Sequence, residues 1–305
     1  MQPTLLLQCS KMTDFKTYLD ERAKYMDKLL DSLLPSPETH PASLHQAMRH
    51  SMLAGGKRLR PVLCMAAAEA CGGSKEAASF AAAAVECLHT YTLIHDDLPC
   101  MDDDDLRRGR PTCHKVYGDA VALLAGDALQ ALSFELLAKS QQTVRYSHGA
   151  MVTELARASG SLHLVGGQVA DIEGEKRKLS LDELRYIHQS KTAALLTASV
   201  VLGGMTADAS IEQLNGLRQF GAATGLAFQI IDDILDVTQS SEKLGKSAGK
   251  DLASQKSTYP ALMGIEKSRA EALRLTEEAR SALAVFGTYG GRLRELVNYL
   301  LSRDY

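Results

Sequence analysis

Apolar residues recur every three to four positions along most of this chain, the period of a helix that buries one face. "TDFKTYLDERAKYMDKLLDSLL" sets the pattern near the start, and it returns with short interruptions to the end. Val, Ile and Thr nowhere alternate with polar residues for long, so no strand is predicted. The periodicity predicts helices over about 13–34, 42–53, 59–71, 75–97, 115–138, 148–172, 181–203, 209–237, 257–285 and 291–302. Breakers fall between them. "LLPSPETHP" separates the first two, and Pro61 sits in the first turn of the third, where its missing N–H is no loss. Ser180 with Glu183 three residues on has the spacing of a capping box. No Gly/Ser linker divides the chain. The expected architecture is all-α: one large helical domain over 12–305, with residues 1–11 a loose tail.

Two segments, "SFAAAAVECLHTYTLI" and "FGAATGLAFQIIDDILDV", are apolar nearly all round, which places them in the middle of a large bundle. Composition agrees with a globular core: 45% of the 305 residues are apolar and 23% charged. A net charge of -3 excludes a strongly basic nucleic-acid surface. Cys9, Cys64, Cys71, Cys87, Cys100 and Cys113 have no CxxC or Cys/His metal spacing and read as reduced packing thiols, hence a cytoplasmic location. The first residues lack the cationic region of a signal peptide. No window is read as the ~20 apolar residues of a membrane span.

Both central segments run into aspartates. "HDDLPCMDDDD" places six of them in eleven residues, from Asp96 to Asp105. At roughly 4 Å and an effective dielectric near 20, each like-charged pair costs about 4 kcal/mol. Something positive must therefore offset the cluster. Asp96 and Asp97 end a helix, and Pro99 forces a turn that can fold Asp102 back toward Asp96. The second cluster is Asp232, Asp233 and Asp236, where Asp232 and Asp236 share a helix face and Gln229 lies one turn earlier. Carboxylates at the inner ends of bundle helices suit divalent cations. With no Cys or His in ligand spacing the donors are all oxygen, which favours Mg²⁺ or Mn²⁺ over Zn²⁺. Magnesium is commonly shared between carboxylates and phosphates, so a diphosphate is the natural third party. Asp103, Asp104 and Asp105 read as a solvated run.

"DDLPCMD" and "DDILD", each closing an apolar helix, resemble the two aspartate-rich motifs of the trans-prenyl diphosphate synthases. "GGKRLRP" at 55–61, "DLRRGRPT" at 105–112, "GDAL" at 126–129, "KTAAL" at 191–195 and "GKDLASQKSTYP" at 249–260 are similar to the rest of that family's pattern, in order. The resemblance implies the isoprenoid synthase fold, a helical bundle around a deep central cavity, as a homodimer. It implies that an allylic diphosphate ionises, isopentenyl diphosphate attacks the cation, and a proton is lost. It also implies Mg²⁺, about three ions per active site, with Mn²⁺ able to replace it. The implied metal ligands are Asp96, Asp97, Asp102, Asp232, Asp233 and Asp236. Arg107, Lys191, Thr192, Gln229, Lys246 and Lys256 would meet the allylic diphosphate, with Lys191, Thr192, Gln229, Asp96 and Asp232 closest to the chemistry. Lys57, Arg60, His89 and Arg108 would hold isopentenyl diphosphate. His89 lies two helical turns before Asp96 on the same face, which supports that placement independently. Gln168 and Asp171 look similar to a further cavity-lining pair.

The four-residue spacer of the first motif is similar to both bacterial farnesyl and plant-type geranylgeranyl diphosphate synthases. The resemblance sets product length by the bulk at Tyr91 and Thr92. The helical wheel puts Thr92 nearer the Asp96 face and turns Tyr91 about 140° away, so the resemblance, not geometry, selects Tyr91 as the cavity floor. An aromatic there points to a farnesyl product, with geranylgeranyl as the alternative. A helical terpene cyclase would carry an Asn/Ser/Glu-type second motif and more aromatics than 5%. A non-catalytic partner subunit would lose aspartates from one cluster.

Overall fold

The computed structural model describes residues 3–175, 177–238 and 257–301, with side chains from Phe15 onward. The described residues form these α-helices in chain order: α1 (Pro3–Leu33), α2 (Ala42–Met52), α3 (Leu59–Ala70), α4 (Ser79–Asp96), α5 (Cys113–Tyr117), α6 (Asp119–Ala138), α7 (His148–Ser159), α8 (Leu164–Gly174), α9 (Leu181–Ile187), α10 (Ala194–Thr206), α11 (Ile211–Thr238), α12 (Tyr259–Met263), α13 (Ile265–Ala282) and α14 (Gly291–Leu301). The segments that are apolar all round do occupy the centre. α4 packs on α6, α10 on α3 and α11, and α11 on α13. Leu63, Leu88, Ile94, Phe220 and Tyr259 are fully buried between them. The architecture is the all-α isoprenoid synthase fold expected from the sequence.

Local departures have local causes. The expected helix 148–172 breaks at His163, whose φ of -131° and ψ of -107° are not helical. Gly118 and Gly264, with φ of +81° and +84°, split two other expected helices, because left-handed backbone ends a right-handed helix. A short hairpin, β1 (Leu106–Arg107) paired with β2 (Arg110–Pro111), follows the first acidic cluster. Two-residue strands leave no alternation to read. The capping box is present: the Ser180 hydroxyl accepts from the Glu183 N–H and the Glu183 carboxylate accepts from the Ser180 N–H. α1 begins at Pro3, so the backbone of residues 3–11 is helical where a loose tail was expected; no breaker follows Pro3, which a first turn tolerates. One helix, α6, is long and apolar enough to cross a membrane by length and composition, with a mean hydropathy of 1.5, which corrects the expectation that no such window exists. Only 39% of it is buried in the chain.

Between α9 and α10 the helix widens into a π-turn over His188–Ala193. It is held by glycines on both sides. A Cβ on Gly225 of α11 would lie 2.5 Å from the Cβ of Ala193 and 2.6 Å from its Cα. A Cβ on Gly167 of α8 would lie 2.5 Å from the Lys191 nitrogen. Both neighbours are backbone or short side chain, so neither can yield cheaply. Gly225→Ala should therefore destabilise the protein, although alanine favours a helix by about 1 kcal/mol, because the overpacking costs about 1–3 kcal/mol. A lower urea midpoint is expected; an unchanged or higher one would contradict this packing.

Candidate active site

The π-turn matters because widening a helix re-aims its side chains, and such turns recur at functional sites. Here it directs Lys191 and Thr192 into the bundle. Lys191 Nζ donates to Asp171 Oδ2 at 2.7 Å, and its charge also reaches Asp96. Lys191 lines two adjoining cavities. The larger, about 470 Å³, runs from Asp96 past Thr92 and Tyr91 to His89 and Arg60, with apolar walls from Leu123, Val165, Val169 and Ile172. The smaller, about 170 Å³, is acidic and holds Asp171, Gln229, Asp232, Asp233 and Asp236. The two aspartate clusters, distant in sequence, thus face each other across Lys191. Thr192 lines the larger cavity and Gln229 the smaller, one on each side of it.

Within the first cluster the chain folds back as Pro99 predicts: the Asp102 N–H donates to the Asp96 carbonyl at 2.8 Å. Burial pushes the Asp96 carboxyl up to about 6; Lys191 opposes this and Asp102 adds to it. The paired aspartates split their tasks. Neighbours on a helix point about 100° apart, so both cannot face one cavity. Asp97, 4% exposed, accepts from Arg107 Nε at 2.7 Å. Asp233 accepts from the Tyr259 N–H at 2.9 Å, with the His188 ring 3.8 Å away and stacked on Tyr259. These two expected metal ligands are engaged by the protein itself.

The other four fit a hard cation. Asp96 and Asp102 repel each other, and Asp236 Oδ2 is buried with no hydrogen-bond partner among the described residues. Among the described residues no three Asp, Glu, His or Cys side chains converge at metal-ligand spacing. The four carboxylates would therefore hold an ion whose remaining ligands are phosphate oxygens.

The cationic residues also divide. Arg60 and His89 line the larger cavity. Burial drives the His89 imidazole well below its usual value, and Arg60, Arg108, Arg107 and Arg58 push it the same way, so the ring is neutral. A neutral histidine with guanidiniums near it suits an anion. Arg107, expected at the allylic diphosphate, is instead held by Asp97 and by Asp104 at 3.3 Å, and lines a small pocket beside the hairpin. Lys57, expected at the isopentenyl diphosphate, is exposed, with Nζ 5.8 Å from the ring centroid of Tyr299 on α14. Lys246 and Lys256 lie outside the described residues. Tyr91 is 5% exposed, set edge-on against His95 with ring centroids 5.4 Å apart, and its hydroxyl meets the Gln130 side chain. Asp103 and Asp105 flank Lys115 on the surface. Sequence reading missed Arg58, buried and fully hydrogen-bonded, and its partner Glu86. A lone glutamate in "AAAAVECL" was the available signal.

Asp96 gives a pH test. Its folded pKa lies above the ordinary 3.8, so the folded state binds that proton more tightly, and stability is lost as pH rises from about 4 through about 6. In metal-free buffer at pH 7, Asp96→Asn should be more stable than the parent by about 1–3 kcal/mol, and should lack that slope. Equal or lower stability at pH 7 would mean that Asp96 is not strained.

The chain matches the polyprenyl synthetase family over residues 41–284. It is 51% identical to the heterodimeric geranylgeranyl pyrophosphate synthase large subunit 1, chloroplastic, of Arabidopsis thaliana, over 95% of this chain and 80% of that one. It is 50% identical to the chloroplastic geranylgeranyl pyrophosphate synthase of Capsicum annuum, over 97% and 81%. A crystal structure of an FPP/GFPP synthase from Zymomonas mobilis superposes with a TM-score of 0.85 at 38% identity, covering 95% of this chain and 99% of that chain. With Asp96, His89 and Arg60 on one cavity and Asp232, Asp233 and Asp236 on the adjoining one, these matches identify the chain as a member of the polyprenyl synthetase family, a trans-prenyltransferase that makes prenyl diphosphates.

Proposed function

We propose that the enzyme is a geranylgeranyl diphosphate synthase, which adds isopentenyl units to allylic diphosphates until the product has twenty carbons. The names of the plant relatives carry this choice over the fifteen-carbon product expected from Tyr91. The Tyr91 geometry is compatible with it. The ring lies along the wall against His95 and Gln130 and shows the cavity little more than an edge. The farnesyl reading keeps one observation in its favour, since Tyr91 does line the cavity.

Asp96, Asp102, Asp232 and Asp236 would hold Mg²⁺, which when bound neutralises charge on a departing diphosphate. Lys191 stands between the clusters and adds a point charge at the same place. Thr192 and Gln229 present oxygen dipoles on either side of it. Arg60, Arg108 and neutral His89 would bind isopentenyl diphosphate without metal, at the other end of the Asp96–His89 face. The apolar wall of Val165, Val169 and Ile172 takes the growing tail and excludes water from the cation. No side chain is needed as general base, because the released diphosphate can take the proton.

The open face of α6, where Leu124 is 56% exposed, suits burial against a second copy in a homodimer. The Arabidopsis relative is named as the large subunit of a heterodimeric synthase, an assembly with an unlike partner. The free thiols Cys64, Cys71, Cys87, Cys100 and Cys113 fit a reducing compartment, which covers both the cytoplasm and the chloroplast named for the relatives.

Product chromatography with geranyl diphosphate as primer and excess isopentenyl diphosphate tests the choice. A twenty-carbon product from the parent is expected, with Tyr91→Ala consuming primer at a similar rate and giving equal or longer chains. A parent that stops at fifteen carbons, with Tyr91→Ala extending to twenty, would establish the farnesyl reading and make Tyr91 the floor.

A further inference from the structure

The surroundings of His89 carry a dense positive charge, and one of its arginines, Arg58, is 3% exposed. Arg58, Arg60, Arg107 and Arg108 all act on His89, and burying guanidiniums together is costly unless they are compensated. Arg107 is paired with Asp97 and Asp104, and one buried carboxylate acts on the other three. Glu86 of α4, 2% exposed, sits one turn before His89 and accepts from Arg58 Nη1 at 2.7 Å. Arg58 Nε donates to Asp27 at 2.7 Å and its Nη2 to the Met52 carbonyl at 2.6 Å. Each nitrogen of Arg58 is therefore engaged within the protein. It pins the loop leading into α3 in left-handed backbone, φ +47°, and so fixes where Arg60 starts.

Arg60 and Arg108 are the members with binding capacity left. Arg60 Nε is buried with no hydrogen-bond partner among the described residues. Arg108 donates to the Gly55 carbonyl and lies flat on Gly56, where a Cβ would come within 2.7 Å of its guanidinium carbon. Glu86 attracts both arginines, while Arg60 and Arg108 repel each other. Its charge steadies the pair without occupying the hydrogen-bonding edge of either.

We propose that Glu86 is the standing counter-ion of the isopentenyl diphosphate site: a positioning residue that keeps the arginine cluster assembled before substrate arrives, and that weakens diphosphate affinity in doing so. The inference rests on the reading of Arg60, His89 and Arg108 as that site. Its sign follows from linkage. Without the Glu86 charge the empty protein carries a larger uncompensated positive charge, so it is less stable, and an incoming diphosphate stabilises it more. Asp27, whose side chain is 46% exposed at the outer end of the same network, acts in the same sense but more weakly, because water screens it.

Glu86→Gln keeps an acceptor for Arg58 at the same reach and removes the charge. In chelator without ligand its Tm should fall below the parent's, and saturating isopentenyl diphosphate should raise its Tm by more than it raises the parent's. In steady state the KM for isopentenyl diphosphate should drop by about three- to tenfold at low salt, and less at high salt, while that for geranyl diphosphate stays within about twofold. Asp27→Asn should move each quantity the same way by less, and it decides the matter alone if Glu86→Gln fails to fold. An equal or smaller ligand-induced shift, or a rise of both KM values together, would make Glu86 purely structural and overturn the inference. Arg60→Ala separates the two claims, because it should raise the KM for isopentenyl diphosphate by about tenfold or more and spare the primer. With that rise present and Glu86→Gln unchanged, the inference falls and the site reading stands; without that rise both fall.

Discussion

The site depends on one ion pair. Lys191 Nζ on Asp171 Oδ2, 2.7 Å apart, ties the π-turn to α8 and sets a positive charge between two acidic clusters that would otherwise repel across the cavity. The pair needs the widened helix, which needs the glycines at 167 and 225 that let α8 and α11 come so close. Moving any one of these elements would misplace the charge that both clusters face. Packing, backbone geometry and electrostatics therefore converge on a few residues around Lys191.

Each acidic cluster solves the same problem in the same way. Within each pair of adjacent aspartates one is anchored by the protein, which fixes the helix end that carries the other. Asp97 grips Arg107 while Asp96 faces the cavity, and Asp233 grips the Tyr259 N–H beside Asp232. The cost of the exposed charges appears as the raised Asp96 pKa and the partnerless Asp236 oxygen. A protein optimised only for stability would not keep them. The surroundings of His89 are the mirror image, with arginines gathered near a neutral histidine and Glu86 buried against Arg58.

Most of the framework was legible in the sequence, because periodicity, breakers and caps are local. The long buried helices, the capping box at Ser180, the fold-back of Asp102 and the convergence of the two acidic motifs could all be read there. Features set by distant contacts could not. The π-turn is invisible because "HQSKTAAL" has ordinary helical composition. The placing of Lys57 depends on Tyr299, far along the chain, and the turning aside of Arg107 on a hairpin too short to leave a pattern. The split between Asp96 and Asp97 was readable in principle, since adjacent helical residues cannot share a face. Product length was the least legible, because one aromatic residue on a cavity wall does not by itself fix how long a chain the cavity takes.

The central claim is that the carboxylates form a site completed by a diphosphate, not a finished metal cage. Calorimetric titration with Mg²⁺, alone and in the presence of inorganic pyrophosphate, tests it most directly. The account predicts weak Mg²⁺ binding alone and much tighter, mutually dependent binding of metal and pyrophosphate together, lost in Asp232→Ala. Tight Mg²⁺ binding without pyrophosphate, or pyrophosphate binding equally well in chelator, would contradict it.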